Sequence, residues 1–370
     1  MRILQVGSGM AGWAGSERYL ADLTRGLLRR GHDVTVACAP GTPFEQRCRE
    51  YGFPCIHLKM RRFGDWPQTP RFVHAYVTGK YQVIHTHHGK DLLVPAFAAR
   101  IARVPAVVTT KHLPNPFRTR WRAYVSSVLY DRIIAVSHFI ASVLRDSGFP
   151  EDRIAVVYNG IDAPAQPAGA QALREELGIP AGAFLVAAAG RIETIKGFDV
   201  LANAIARLHR EGLPLYAAIF GEGTEREHLA ALIRQLGMSP FIRLPGFRAD
   251  VERLWLAADV AVVPSSAPES FSYSVLEALA AGKPVVASRI GGMPEVLTDE
   301  CGLLVAPGDP EDLAAALRAV LCSKDRAAMG RAALARGGEF TLDKTVAGVE
   351  EVYRSILETG RRARVSAAGR

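Results

Sequence analysis

The chain is poor in the features that mark several protein classes. Its five cysteines, Cys38, Cys48, Cys55, Cys301 and Cys322, are odd in number, scattered and without CxxC or Cys/His spacing. That excludes a disulfide scaffold and a structural zinc site, and fits a reducing cytoplasm. No run approaches the roughly 20 apolar residues of a membrane span, and Met1 leads straight into the strand-like RILQV with no signal-peptide layout. What is present is length and apolar content: 370 residues at 49% hydrophobic predict two domains, each with its own core.

The net charge of +8 is unevenly spread. Residues 1–160 hold 22 Lys/Arg against 11 Asp/Glu, and residues 161–370 hold 23 against 26, so the two parts carry +11 and −3. A basic first half points to an anionic partner: nucleic acid, anionic lipid or an acidic substrate. Arg61 and Arg62 beside Phe63 and Trp66, then Phe117, Arg118, Arg120, Trp121 and Arg122, interleave basic and aromatic residues. Such a pattern suits a membrane surface or single-stranded RNA, and equally solvated charge over packed aromatics.

Both halves alternate strand and helix. Strands are expected at 3–6, 33–37, 83–85, 106–109 and 133–136, then at 184–188, 215–220, 242–244, 260–263 and 285–287, with helices between them. Continuous apolar strands separated by helices predict parallel sheets covered on both faces, hence two Rossmann-like doubly wound α/β domains. The expected organisation is a first domain over 1–160, a linker over 161–183 and a second domain over 184–341. A helix over 342–361 would then cross back to the first domain, followed by a basic tail over 362–370. In such sheets ligands bind beyond the carboxyl ends of the strands, so a cleft between the domains is the expected site.

Gly7, Gly9 and Gly12 form GxGxxG after the first strand, yet the second strand ends Val36-Ala37-Cys38-Ala39-Pro40 without the carboxylate an NAD ribose needs. The glycines read instead as a loop that lets backbone approach a phosphate. In GRIETIKGFDVL, Arg191 and Lys196 flank one strand-to-helix turn and could neutralise a diphosphate, Arg191 as a planar fork and Lys196 as a point charge. Glu269 and Glu277 stand eight positions apart in DVAVVPSSAPESFSYSVLEALAAGKPVV. On one helix that spacing would separate their backbones by roughly 12 Å, too far for a glycosidase pair, but suitable for the two ends of an extended hydroxyl-rich ligand such as a nucleotide sugar. The plainer alternative has Glu269 capping the helix and Glu277 on its solvated face.

Taken together, Gly15-Ser16-Glu17-Arg18, Tyr158-Asn159-Gly160-Ile161-Asp162, Gly190-Arg191 with Lys196-Gly197, Gly221-Glu222-Gly223, and Glu269 with Glu277 resemble glycosyltransferase family 4 over about residues 1–320. The resemblance implies the GT-B fold, with two parallel-sheet domains facing each other across a cleft. It also implies a retaining glycosyltransferase that moves sugar from a nucleoside-diphosphate sugar without a metal or other cofactor, and no DxD motif is present. UDP-sugar is the first choice of co-substrate, with GDP- or ADP-sugar as alternatives.

By the same resemblance Arg191 and Lys196 bind the diphosphate, Glu277 the ribose and Glu269 the donor sugar. Gly15 and Gly190 touch phosphate, Gly221, Phe247 and Arg248 lie near the nucleotide, and the helix start Phe271-Ser272-Tyr273-Ser274 faces the leaving group. His112 faces the reacting centre; its alternative is a structural loop histidine. Ala14-Gly15 and Phe271-Ser272 depart from the usual Gly-Gly and Phe-Gly. His85, His87 and His88 are ligand-type side chains, but no acid at helical spacing partners them and no metal is assigned.

The expected acceptor is a lipid-linked or anionic envelope glycan, met in the cytoplasm or peripherally on the cytoplasmic face of an anionic membrane; no nucleic acid is expected and the oligomeric state is left open. The competing readings are a sugar-nucleotide epimerase, a phosphorylase and a non-catalytic nucleotide-sugar binding subunit. A phosphorylase would need a pyridoxal lysine, and Lys196 is already assigned to phosphate.

Overall fold

A computed structural model describes residues 1–7, 15–58, 66–87, 93–162 and 169–368, with side chains to Gly360. Gly9, Gly12, Ala14, Arg61, Arg62, Phe63 and His88 therefore lie outside the described residues. The chain divides into two compact units, Met1–Gly160 with Leu342–Arg370, and Ile161–Thr341.

In the first unit seven strands run β1 (Arg2–Val6), β2 (Asp33–Cys38), β3 (Cys55–His57), β4 (Val83–Thr86), β5 (Ala106–Lys111), β6 (Arg132–Ala135) and β7 (Ile154–Val156). They form one parallel sheet in the order β3-β2-β1-β4-β5-β6-β7. In the second unit β8 (Leu185–Ala189), β9 (Tyr216–Phe220), β10 (Ile242–Gly246), β11 (Val260–Val263), β12 (Val285–Ser288) and β13 (Gly302–Val305) form a parallel sheet in the order β10-β9-β8-β11-β12-β13. The strand order reverses between β1 and β4 and again between β8 and β11, which puts a crevice at those carboxyl ends. The continuous apolar strands are buried, as a sheet covered on both faces requires.

The strands β3, β7 and β13 were not anticipated: β3 and β7 have three residues each, and β13 opens on Gly302. Three of the five cysteines, close together in sequence, meet at the β3 edge of the first sheet: Cys38 and Cys48 are buried, Cys55 is half-buried, and all remain free thiols. Within 161–183, residues 170–176 form a helix held in the second unit, where Arg174 pairs with Asp259 at 2.6 Å and donates to the carbonyls of Ala257 and Ala183.

The helix Leu342–Ala368 belongs to the first unit and runs on through the stretch expected as a tail. It packs on the helix Gly15–Arg29, where a Cβ on Gly26 would lie 2.3 Å from Val346, so glycine is what lets the two approach. Beside that contact Glu350 is buried and accepts from His32 and Arg30, each at 2.9 Å, and from Arg354. Burial alone would raise the Glu350 pKa, but the hydrogen bonds from His32 and Arg30 hold it below the ordinary carboxylate value. A depressed folded pKa contributes stability in full above the unfolded value of about 4.3, lost as pH falls through the folded value.

Glu350→Ala should therefore lower stability at neutral pH by about 2 kcal/mol, less than a fully buried pair because Arg30 and Arg354 are partly exposed. It should also flatten the acid side of the melting-temperature profile. A variant profile parallel to that of the parent below pH 5 would refute this account of Glu350.

Candidate functional site

The residues singled out in the second half collect at the carboxyl ends of β8, β9, β10 and β11, around the switch point of the second sheet. Their backbones approach more closely than any side chain would permit. Gly190 and Gly221 both have strongly positive φ, +156° and +150°, and a Cβ on Gly221 would lie 1.8 Å from the Gly190 carbonyl oxygen. The Gly221-Glu222-Gly223 turn is laced to Gly190-Arg191-Ile192 by the Ile192 N–H donating to Glu222 at 2.9 Å and the Glu225 N–H donating to Ile192 at 3.0 Å. Gly197, at φ +64°, closes the next turn against the Pro264 carbonyl.

These turns bring Lys196 and Glu269 together. The Lys196 ammonium donates to Glu269 Oε1 at 2.8 Å, and Ser265 Oγ donates to the same oxygen. Arg191 is exposed and pairs with Glu193 at 2.6 Å. The two cations expected to hold a diphosphate thus each already face a carboxylate. A doubly charged phosphate would have to compete for them, an exchange favoured where the anion is the stronger acceptor.

The plainer alternative for the glutamates fails on both counts. Glu269 does not cap the helix: the N-cap of Tyr273–Ala280 is Ser272, whose hydroxyl makes no capping hydrogen bond. Glu277 does not sit on a solvated face: it is 8% exposed and accepts from Trp255 Nε1 at 3.0 Å. Phe271 packs edge-on to Phe340 at 5.6 Å, and Ser274 Oγ donates to the Ala189 carbonyl at 2.9 Å, pinning the helix start to the end of β8. The positive end of that helix therefore opens beside Gly190.

Phe247 is 73% exposed. The Arg248 side chain is spent on structure: it pairs with Asp250 and Glu176 and lies over the Phe220 ring at 5.4 Å. Hydrogen bonds it donates, first to Asp250 and then to Glu176, raise its pKa. Contact of this segment with a ligand is left to backbone and to Phe247.

In the first unit His112 follows β5, with its ring edge-on to Tyr19 at 4.7 Å and stacked on His87 at 5.8 Å. Gly15 opens the helix Gly15–Arg29. His85 and His87 are held by protein partners: His85 Nδ1 is 2.6 Å from the Tyr353 hydroxyl, His85 Nε2 is 2.7 Å from Thr110 Oγ1, and His87 Nε2 is 2.6 Å from Gln5 Oε1. Burial first, and then neighbouring His112, hold the His85 pKa well below the usual histidine value. Among the described residues no group of three His, Cys, Asp or Glu is arranged to hold a metal ion.

Three supporting residues were missed from sequence: Ser265, Trp255 and Gly291. Gly291 has φ +61°, its Cβ would lie 2.1 Å from the Glu269 carbonyl, and the neighbouring Gly292 N–H donates to that carbonyl at 2.9 Å. The Gly-Gly pair after β12 was the available signal for it.

Comparison with known proteins converges on the same chemistry. The family model described as Glycosyltransferase Family 4 matches residues 13–163, and that described as Glycosyl transferases group 1 matches residues 183–323. The D-inositol 3-phosphate glycosyltransferase of Acidothermus cellulolyticus is 31% identical, over 96% of this chain and 88% of its own. That of Xylanimonas cellulosilytica is 29% identical, over 94% and 93%. Among solved structures, Anabaena HepE in complex with UDP superposes with a TM-score of 0.85 at 26% identity, covering 96% of this chain and all of the other. A glycosyltransferase from Rickettsia africae shares the fold, with a TM-score of 0.88 at 21% identity over 96% and 98%.

The chain belongs to the family 4 glycosyltransferases, with the GT-B fold. It is an enzyme that transfers glycosyl groups.

Gly291→Ala would force an L-residue into the left-handed region, costing about 1–2 kcal/mol, and push on the Glu269 backbone. A melting-temperature fall of about 2–4 °C per kcal/mol should accompany weaker thermal stabilisation by the nucleotide sugar or nucleoside diphosphate that stabilises the parent chain. Stabilisation equal to that of the parent chain would show that Gly291 does not position the site.

Proposed function

We propose that this enzyme moves a sugar, with retention of anomeric configuration and without a metal, from a UDP-sugar to a hydroxyl of a lipid-linked or anionic envelope glycan. The observation that carries the donor half is the Lys196–Glu269 pair set between the Gly190/Gly221 turn and the start of the helix Tyr273–Ala280. Lys196 and Arg191 take the diphosphate, Glu269 accepts from the sugar hydroxyls and Glu277, steadied by Trp255, accepts from the ribose. Phe247 and the Arg248 backbone lie along the base. UDP as the base is supported by Anabaena HepE, whose structures include complexes with UDP and UDP-glucose, the latter superposing with a TM-score of 0.83 at 25% identity.

As the bond from the sugar to the leaving diphosphate breaks, charge collects on phosphate oxygen. Lys196, Arg191 and the backbone N–H groups at 271–274 are preorganised to meet it, the kind of electrostatic stabilisation that is commonly the largest catalytic contribution. The acceptor hydroxyl attacks the oxocarbenium-like carbon from the face the diphosphate leaves and gives its proton to the departing phosphate oxygen. By the family resemblance Gly15 is assigned to the diphosphate and His112 to the reacting centre.

The excess of 11 positive charges over residues 1–160 supports an anionic acceptor. A second acceptor reading, D-inositol 3-phosphate, rests on the names of the relatives, which share the anionic character.

Purified protein should release UDP from a UDP-sugar in a donor panel that also holds GDP- and ADP-sugars, faster when either acceptor type is added. Lys196→Ala should cost about a hundredfold or more in turnover, with little change in melting without donor. Glu277→Gln, which keeps the buried volume beside Trp255, should weaken donor binding. His112→Ala should lower turnover more than donor affinity. Full turnover in Lys196→Ala, or no nucleotide release from any donor, would overturn the assignment.

A further inference from the structure

The helix Arg120–Leu129 buries Ala123, Ser126, Ser127 and Leu129 and turns three large apolar residues outward. Trp121 is 69% exposed, Tyr124 58% and Val128 56%. Their spacing of three and then four residues places them on one face, and the Trp121 and Tyr124 rings lie 5.7 Å apart. Helix Leu93–Ile101 packs beside it and exposes Phe97 and Ile101, one turn apart, with exposed Trp66 edge-on to Phe97 at 5.4 Å. Buried faces of both helices already serve the core, so the outward residues add nothing to folding, and solvent-exposed apolar clusters of this kind mark contact with something apolar.

The charges around the cluster say what that is. Arg118, Arg120 and Arg103 are exposed and Arg122 partly so, while neither helix contains an Asp or Glu. Aromatic rings that carry a polar tip, flanked by arginines with long apolar stems, suit the boundary between headgroups and acyl chains. A second copy would bring the same positive charges face to face and is disfavoured. Phe117, which shares the sequence motif, does not join this surface, being stacked on Phe149 at 6.1 Å under Lys111.

We propose that this face of the first unit, centred on Trp121, Tyr124 and Val128, docks on an anionic bilayer. The rings enter the headgroup boundary while Arg118, Arg120 and Arg122 meet lipid phosphates. The inference is independent of the donor-site assignment and holds whether or not the acceptor is lipid-linked.

The whole chain should float with vesicles of phosphatidylcholine containing phosphatidylglycerol and much less with pure phosphatidylcholine, and added salt should weaken the binding. Trp121→Ser with Tyr124→Ser should cut the partition coefficient at least about tenfold and abolish a blue shift in tryptophan emission on the anionic vesicles. Replacing Arg118, Arg120 and Arg122 by Gln should cost about a hundredfold. Because Trp121, Tyr124, Arg118 and Arg120 are exposed, the serine variant and a variant with Arg118 and Arg120 alone replaced by Gln should match the parent chain in melting temperature and stabilisation by UDP, which separates failure of this proposal from failure of the donor site. Failure of the parent chain to float with anionic vesicles would overturn the inference. So would flotation unchanged in both variants, or an exposed face explained by a dimer that the serine substitutions dissociate.

Discussion

The geometry around Lys196 and Glu269 depends on one constraint, the approach of backbone turns at the carboxyl ends of β8, β9, β11 and β12 to distances that exclude a Cβ. Gly221 rests on the Gly190 carbonyl, Gly223 on Ile192, Gly197 on Pro264 and Gly291 on Glu269. Since a side chain at any of these would need space that backbone already fills, the turns interlock without adjustable parts. These turns set Lys196 beside Glu269, and Ser274 ties the next helix to the end of β8. The backbone of these turns is therefore fixed by packing, while the side chains of Lys196 and Glu269 that they carry remain able to change partners.

The first unit solves a different problem. Its switch point, between β1 and β4, is filled by a polar network of Gln5, His85, His87 and Thr110 that would be costly to bury alone. Tyr353, from the helix that returns after the second unit, supplies the hydroxyl that both Gln5 and His85 bond, at 3.2 and 2.6 Å. With Glu350 one turn earlier clamping Arg30 and His32, that helix completes the first unit both electrostatically and by packing. His112 thus stands on a platform of rings whose innermost member, His85, is kept uncharged by burial.

Much of this was legible in residue order. The βα alternation gave both sheets because continuous apolar strands have few other uses, and the glycine-flanked cations marked the turn that proves to hold Lys196. What could not be read was whatever depends on tertiary neighbours. Nothing in the spacing of Glu269 and Glu277 reveals that Glu277 is buried under Trp255, or that Lys196 and Glu269 meet directly. The three-residue strands β3 and β7 were invisible because a period of two needs more residues to declare itself. The interleaved motif around Trp121 allowed either an exposed surface or charge over packed aromatics, and it divides: Phe117 stacks on Phe149 while Trp121 faces out from the helix that begins at Arg120.

The pairing of Lys196 with Glu269 bears on how binding and chemistry share the same groups. In the ligand-free protein the ammonium and carboxylate satisfy one another, so neither carries an unbalanced charge at a partly buried site. On the proposed donor assignment, binding would exchange partners, Lys196 turning toward phosphate and Glu269 toward sugar hydroxyls. A site built on exchange holds the ground state loosely. It favours the transition state more, because the leaving phosphate gains negative charge while the hydroxyls facing Glu269 belong to a sugar becoming positive. Both interactions strengthen together as the bond breaks, which is the differential binding that catalysis requires.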